Sequence, residues 1–138
     1  MLEIDRLRKH YGDIVALQEC SFFTEPGRVV GFLGPNGSGK TTTMRLITSF
    51  YTPDRGRILI HGVDNQQRDV ETRRMIGYLP ENNPLYEDLL VKEFLEFVGD
   101  LRGMSSNERR RNLDTTVEET GLAEVYYRPI NQLSKGYH

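Results

Sequence analysis

Residues 34–41, GPNGSGKT, constrain this chain more than any other stretch. They fit the spacing G-x-x-x-x-G-K-[ST], with Gly34, Gly39, Lys40 and Thr41 at the fixed positions. The chemistry that needs this pattern is phosphate binding. A triphosphate packs several negative charges into a small volume, and backbone N–H groups surround it only where no Cβ blocks them. Gly34, Gly37 and Gly39 remove that block and permit unusual φ values, while Pro35, Asn36 and Ser38 complete the loop. A helix opening near Gly39 would add free N–H groups and a positive dipole end. Lys40 supplies a mobile charge for the β- and γ-phosphates. The Thr41 hydroxyl is a hard oxygen ligand for Mg2+, and Thr42 can donate to an α-phosphate oxygen.

The flanks supply the required context. RVVGFL at 28–33 is a near-continuous apolar run and predicts a strand buried on both faces of a parallel sheet. Apolar residues at helical spacing predict a helix over 39–50. Upstream, 2–7 and 14–24 predict two strands around the turn YGD, with a second turn at EPG, 25–27. Downstream, TPDRG ends the helix, RILIHG at 57–62 predicts a strand, and the charged segment 68–74 a short exposed helix. MIGYLP at 75–80 predicts another apolar strand. From residue 85 the period becomes helical. Val91, Phe94, Leu95, Val98 and Leu101 form one stripe, and SSNE at 105–108 has the capping-box form before a helix running to Thr120 and stopping at Gly121. The expected fold is α/β, a phosphate-loop core with a leading antiparallel hairpin and a helical arm. The expected division is 1–84 for hairpin and core and 85–138 for the arm.

The chain has 138 residues and a formal net charge of −2, so overall basicity gives no reason to expect a nucleic-acid partner. The run ERRRN at 108–112 reads as a solvated helix face. The three histidines are scattered without metal-ligand spacing. One cysteine, Cys20, allows no internal disulfide, and neither a signal-peptide pattern nor an apolar run of spanning length is present. A cytoplasmic location is the expectation.

The phosphate loop alone covers several enzyme classes. With its flanks, GPNGSGKTTTMRLITSFYTPDRGRILIHGVD resembles the nucleotide-binding domain of ATP-binding cassette (ABC) transporters. The resemblance extends over nearly the whole chain and implies ATP and Mg2+ as ligands. Tyr11 in RKHYGD matches the aromatic residue that stacks on adenine. GYLPENNPLYED resembles the loop in which an amide usually faces the metal and the attacking water. Here that position is Glu81, an acceptor-only carboxylate. Leu85 and Tyr86 would belong to a docking groove for a permease. QLSKGYH at the end is similar to the signature LSGGQ. Leu133, Ser134 and Gly136 match, while Lys135 replaces a glycine and Tyr137 the glutamine.

The resemblance implies an ATPase subunit driving a separate membrane permease from the inner face of the cell membrane. Two such domains, alike or different, would sandwich ATP head to tail, with Ser134 and Gly136 serving the partner's nucleotide. The wording is closest to exporters of the multidrug, gliding-motility and polysaccharide kind. The family's general base lies beyond the signature, and no apolar run ending in Asp-Glu follows residue 80. The expectation is nucleotide binding without competent hydrolysis by residues 1–138 alone. A truncated non-catalytic nucleotide-binding fragment and a soluble phosphate-loop kinase remain the alternatives.

Overall fold

The computed structural model describes residues 1–80 and 85–134. They form two compact units, Met1–Tyr78 and Leu79–His138.

In the first unit, β1 (Leu2–Tyr11) and β2 (Ile14–Thr24) form an antiparallel hairpin around Gly12 and Asp13. Gly12 takes φ 58, the left-handed value such a tight turn needs. Helix α1 (Lys40–Ile47) follows, then β3 (Arg55–Ile60), the two-residue β4 (Val63–Asp64) and the short helix α2 (Asp69–Arg74). The sheet order is β2-β1-β3-β4, with antiparallel pairing throughout. Ile4, Leu7 and Leu17 from the hairpin, Ile58 and Ile60 from β3, and Leu46 and Ile47 from α1 close one core. Each such side chain contributes about 1.5–3 kcal/mol by leaving water.

Two expected strands do not form. Residues 28–33 and 75–80 take no strand conformation, and Val29 and Leu33 are 103% and 92% exposed. A central parallel strand is held by ladder bonds to both neighbours and by cover on both faces. No described residue pairs with either run, so apolar composition alone does not make a strand. Phe32 is held in place by stacking on Phe22 of β2, ring centroids 5.4 Å apart.

Helix α1 is shorter than its apolar spacing predicts. Ser49 at φ 57 turns the chain, with Ser49 N–H donating to the Leu46 carbonyl and Phe50 N–H to the Arg45 carbonyl. This is a Schellman ending with serine where glycine is usual. The same pair of bonds ends the other two long helices at Gly103 and Gly121.

The second unit contains α3 (Val91–Leu101), α4 (Ser106–Glu119) and two single 3-10 turns, Ala123–Val125 and Ile130–Gln132. Its core is small: Val91, Val125 and Ile130, flanked by Leu89, Phe94, Leu95, Leu122, Tyr126 and Leu133. The first turn of α3 is tied to the 3-10 segment by backbone bonds. Val91 N–H donates to the Arg128 carbonyl at 3.1 Å and Lys92 N–H to that of Tyr126 at 2.9 Å. Gly99 lies where a Cβ would come within 2.9 Å of the Arg109 side chain, and Arg109 pairs with Asp100. The small residue lets α3 and α4 approach. Among the described residues no helix is long and apolar enough to cross a membrane.

Candidate nucleotide-binding site

The loop 34–41 joins the segment after β2 to the N-terminus of α1. Gly37 at φ 83 and Gly39 at φ 88 take left-handed values that a side chain disfavours. Gly39 is the N-cap of α1, and a Cβ there would sit 2.8 Å from the Ala16 carbonyl oxygen. Ala16 is the extra residue of a bulge, since β1 pairs Lys9 with Leu17 and His10 with Val15. Local irregularity on β2 and a missing side chain on the loop therefore fit one another. They seat the start of α1 against the closed end of the hairpin.

The donors at this helix start are free for an anion. The first helical bond runs from Thr43 N–H to the Gly39 carbonyl at 2.8 Å, so the N–H groups of Lys40, Thr41 and Thr42 have no intrahelical acceptor. No side chain caps them, and the first turn holds no acid. Lys40 folds its ammonium onto the loop, donating to the Gly34 carbonyl at 2.6 Å and the Pro35 carbonyl at 2.7 Å. The Thr43 hydroxyl is turned inward, donating to the Gly39 carbonyl at 3.0 Å. Thr41 is exposed at the helix start and Thr42 is half-buried. Bare N–H groups, one cation and an unopposed dipole end are the donor set that a polyphosphate requires.

Tyr11 ends β1, paired with Ile14 across the hairpin. It lies two strand positions beyond the Lys9–Leu17 pair, about 7 Å along the strand from the level of Gly39's contact. Its ring packs edge-on against Tyr51 at 5.5 Å, with the Lys9 ammonium 5.7 Å from its centroid, and it is 38% exposed. What anchors it is not visible in any local pattern. Asp54, in the turn TPDRG, accepts from Lys9 at 2.9 Å and from the His10 N–H at 2.6 Å, and Lys9 also donates to the Thr52 carbonyl at 2.8 Å. The hydrogen bond from Lys9, then that from the His10 backbone, hold the Asp54 carboxyl down at about 2.

Asn65 is the other residue that pattern reading missed. It is 2% exposed, and its amide donates to the Leu46 carbonyl at 2.9 Å and the Ile47 carbonyl at 3.3 Å. It adds a donor at the C-terminal end of α1, where the Leu46 carbonyl also accepts from Ser49 N–H and the helix supplies no further N–H groups. Its Oδ1 is buried and has no donor among the described residues. Only a contact map would have found it, because nothing in GVDN marks a cap for a helix eighteen residues away.

The other expected site residues divide. Glu81, Lys135 and Gly136 lie outside the described residues, so Thr41 is the one expected metal ligand whose place is seen. Among the described residues no cluster of His, Cys, Asp or Glu could hold a metal ion. Leu133 packs on the small core of the second unit, its N–H donating to the Ile130 carbonyl at 3.0 Å, and Ser134 is exposed. Leu85 packs against that core and Tyr86 is exposed, its ring edge-on to Phe97 at 5.5 Å.

The family profile described as ABC transporter matches residues 17–138. An uncharacterised ABC transporter ATP-binding protein, MJ1023 of Methanocaldococcus jannaschii, is 34% identical over 98% of this chain and 47% of its own length. The Nod factor export ATP-binding protein I of Paraburkholderia xenovorans is 33% identical over 98% of this chain and 44% of its own. The chain thus spans about half the length of these relatives. Among solved structures, an ATP-binding subunit of an ABC transporter superposes with a TM-score of 0.84 at 32% identity, over 98% of this chain and 56% of that one. The dimeric bacterial cassette MJ0796 gives 0.81 at 27% identity, over 99% and 65%. With the phosphate loop seated on α1 and these matches along its length, the chain belongs to the ABC transporter ATP-binding family and carries part of that family's α/β phosphate-loop NTPase fold.

Proposed function

We propose that the chain binds ATP through Gly34–Thr42 and forms part of a subunit that couples ATP binding and hydrolysis to transport by a separate membrane permease. The observation that carries this reading is the start of α1. Three backbone N–H groups have no acceptor among the described residues and stand beside left-handed glycines, and Lys40 rests on two carbonyls it can exchange for phosphate oxygens. The Thr41 hydroxyl would hold Mg2+, which neutralises phosphate charge when bound. Tyr11 would stack on the base, its exposed ring set by Tyr51 and by the Asp54 clamp on Lys9 and His10.

The remaining assignments rest on the family. Leu133, Ser134, Lys135 and Gly136 would face the nucleotide of a second such domain, a copy of this chain or a homologue. Glu81 would lie toward the metal or the water. One neighbour with a TM-score of 0.83 and 25% identity is cbiO1 of Clostridium perfringens, described as part of the ABC transporter complex cbiONQ, and MJ0796 is described as dimeric. Both support an assembly of more than one subunit, for which the inner membrane face is the expected location. The Nod factor export protein supports an exporter, and the probable multidrug ABC transporter protein YbhF of Escherichia coli, 28% identical, supports a transporter of the multidrug kind. Hydrolysis is proposed for the whole protein. Turnover by residues 1–138 as fast as that of a full-length family member would overturn that part.

The direct test is calorimetric titration of ATP into the native chain and Lys40→Ala. Losing one charge-assisted contact should weaken binding roughly tenfold to a hundredfold. Equal affinity would refute the assignment of the loop.

A further inference from the structure

Away from the loop, β1 and β3 carry four arginines: Arg6, Arg8, Arg55 and Arg57. Arg8 and Arg55 are direct partners in the antiparallel register. Like charges directly opposite destabilise a sheet. Beside them the backbone is irregular. Arg6 has φ 47, a left-handed value uncommon for a long side chain, and the register shifts between Asp5 and Arg8. Gly56, at φ 87, receives this bulge. A Cβ there would lie 2.5 Å from the carbonyl oxygens of Asp5 and Arg6. Bulges re-aim side chains, and here Arg6, Arg8, Glu19, Arg55 and Gly56 line a cleft of about 270 Å3.

The charges around the cleft do not balance. Arg8 bonds Glu19 at 2.6 Å. Arg6 and Arg57 share Asp5, at 3.2 and 3.5 Å. Arg55 has no carboxylate partner among the described residues. Three guanidinium groups and one carboxylate line the cleft. A guanidinium fork matches phosphate oxygens in geometry and charge. Among the described residues no aromatic ring lines the cleft to take a base, and its volume falls below the roughly 300–1,000 Å3 of ordinary small-molecule sites.

We propose that Arg6, Arg8 and Arg55 form a second anion site, separate from the phosphate loop, that takes a phosphate or pyrophosphate group. The bound anion would sit between Arg55 and the Arg8–Glu19 pair and supply the partner that Arg55 lacks among the described residues. The strained Arg6 backbone holds the third guanidinium at the same cleft. This site shares no residue with Gly34–Thr42, so it stands or falls independently of nucleotide binding there.

The test uses the Lys40→Ala chain, in which the loop is weakened, titrated with inorganic pyrophosphate at fixed ionic strength while backbone amide shifts are followed by NMR. Saturable shifts centred on Arg6, Arg8, Arg55 and Gly56 are expected, with Arg55→Glu weakening binding by about tenfold or more. In the otherwise native chain, Arg55→Glu should leave ATP affinity unchanged. It should not lower the melting temperature either, since the introduced carboxylate would face Arg8 with opposite charge. A second arm uses phosphatidylcholine vesicles with and without phosphatidic acid. Binding only to the acidic vesicles, lost in Arg55→Glu, assigns the phosphate to a lipid headgroup. Pyrophosphate binding without vesicle binding assigns it to a soluble phosphate. No saturable binding in either arm, or binding indifferent to both Arg55→Glu and Arg6→Glu, overturns the proposal.

Discussion

Helices α1 and α4 begin in opposite ways. At α4 the chain satisfies itself. The Ser105 Oγ accepts from the Glu108 N–H at 3.4 Å, and Glu108 accepts from the Ser105 N–H at 2.9 Å and its hydroxyl at 2.6 Å. The Ser105 hydroxyl, then its N–H, hold the Glu108 carboxyl below its usual range. At α1 the N-cap is a bare glycine, no side chain accepts from the first turn and no acid stands in it. A closed helix start contributes stability and offers nothing to a ligand. An open one forgoes about 1 kcal/mol of capping and keeps its donors for an anion. The two units differ in the same sense. The first backs its open-ended helix with a seven-residue core, and the second relies on three buried hydrophobic residues and backbone ties.

Four substitutions probe this contrast, from the largest expected effect downward. Ile130→Ala removes one of the three buried hydrophobic side chains among the described residues of the second unit and should destabilise it by about 3 kcal/mol. Amide exchange should quicken throughout residues 85–134 and far less in β1–β3; uniform quickening would show that the two units unfold together. Gly39→Ala forces a side chain into a left-handed position against the Ala16 carbonyl, at a cost of about 2 kcal/mol, and should also weaken ATP binding. Urea midpoints with ATP titrations would check this, and unchanged affinity would mean that the loop does not need its seat on β2. Ser105→Ala should lower stability by about 1 kcal/mol and leave ATP affinity alone. If α4 tolerates the change at no cost, the distinction between closed and open starts loses its energetic basis.

The smallest effect is a pH dependence. Asp54 titrates near 2 when folded, against an ordinary 3.8. Its contribution is therefore complete above the ordinary value and is lost as pH falls from about 4 toward 2. Asp54→Asn should flatten the melting temperature across that window. Parallel profiles for native and variant would exclude the clamp on Lys9 and His10 as a source of acid sensitivity.

What could be read from the sequence was local. The loop declared itself because glycines, lysine and threonine must stand at fixed separations, and the Ser105–Glu108 cap because both partners lie within one turn. The hairpin showed through alternation and turn residues, although β1 runs on through Arg8, Lys9 and His10 to Tyr11, positions made extended by pairing with β3 at Arg8 and with β2 beyond it. What stayed hidden depends on distant residues. The runs 28–33 and 75–80 have strand composition but no partner among the described residues to supply a ladder. Serine ending α1 leaves no glycine to read. Asn65, Asp54 and the Arg8–Arg55 pair act across the chain, so their roles appear only after the fold has closed.

Asn65 has a mechanical consequence. Its amide grips one end of α1 while Gly39 is pressed on Ala16 at the other, and β3 and β4 are a single antiparallel ribbon ending beside it. A helix pinned at both ends behaves as a strut. Its axis therefore runs between two fixed points, the Ala16 bulge at its start and the Val63–Asn65 corner at its end.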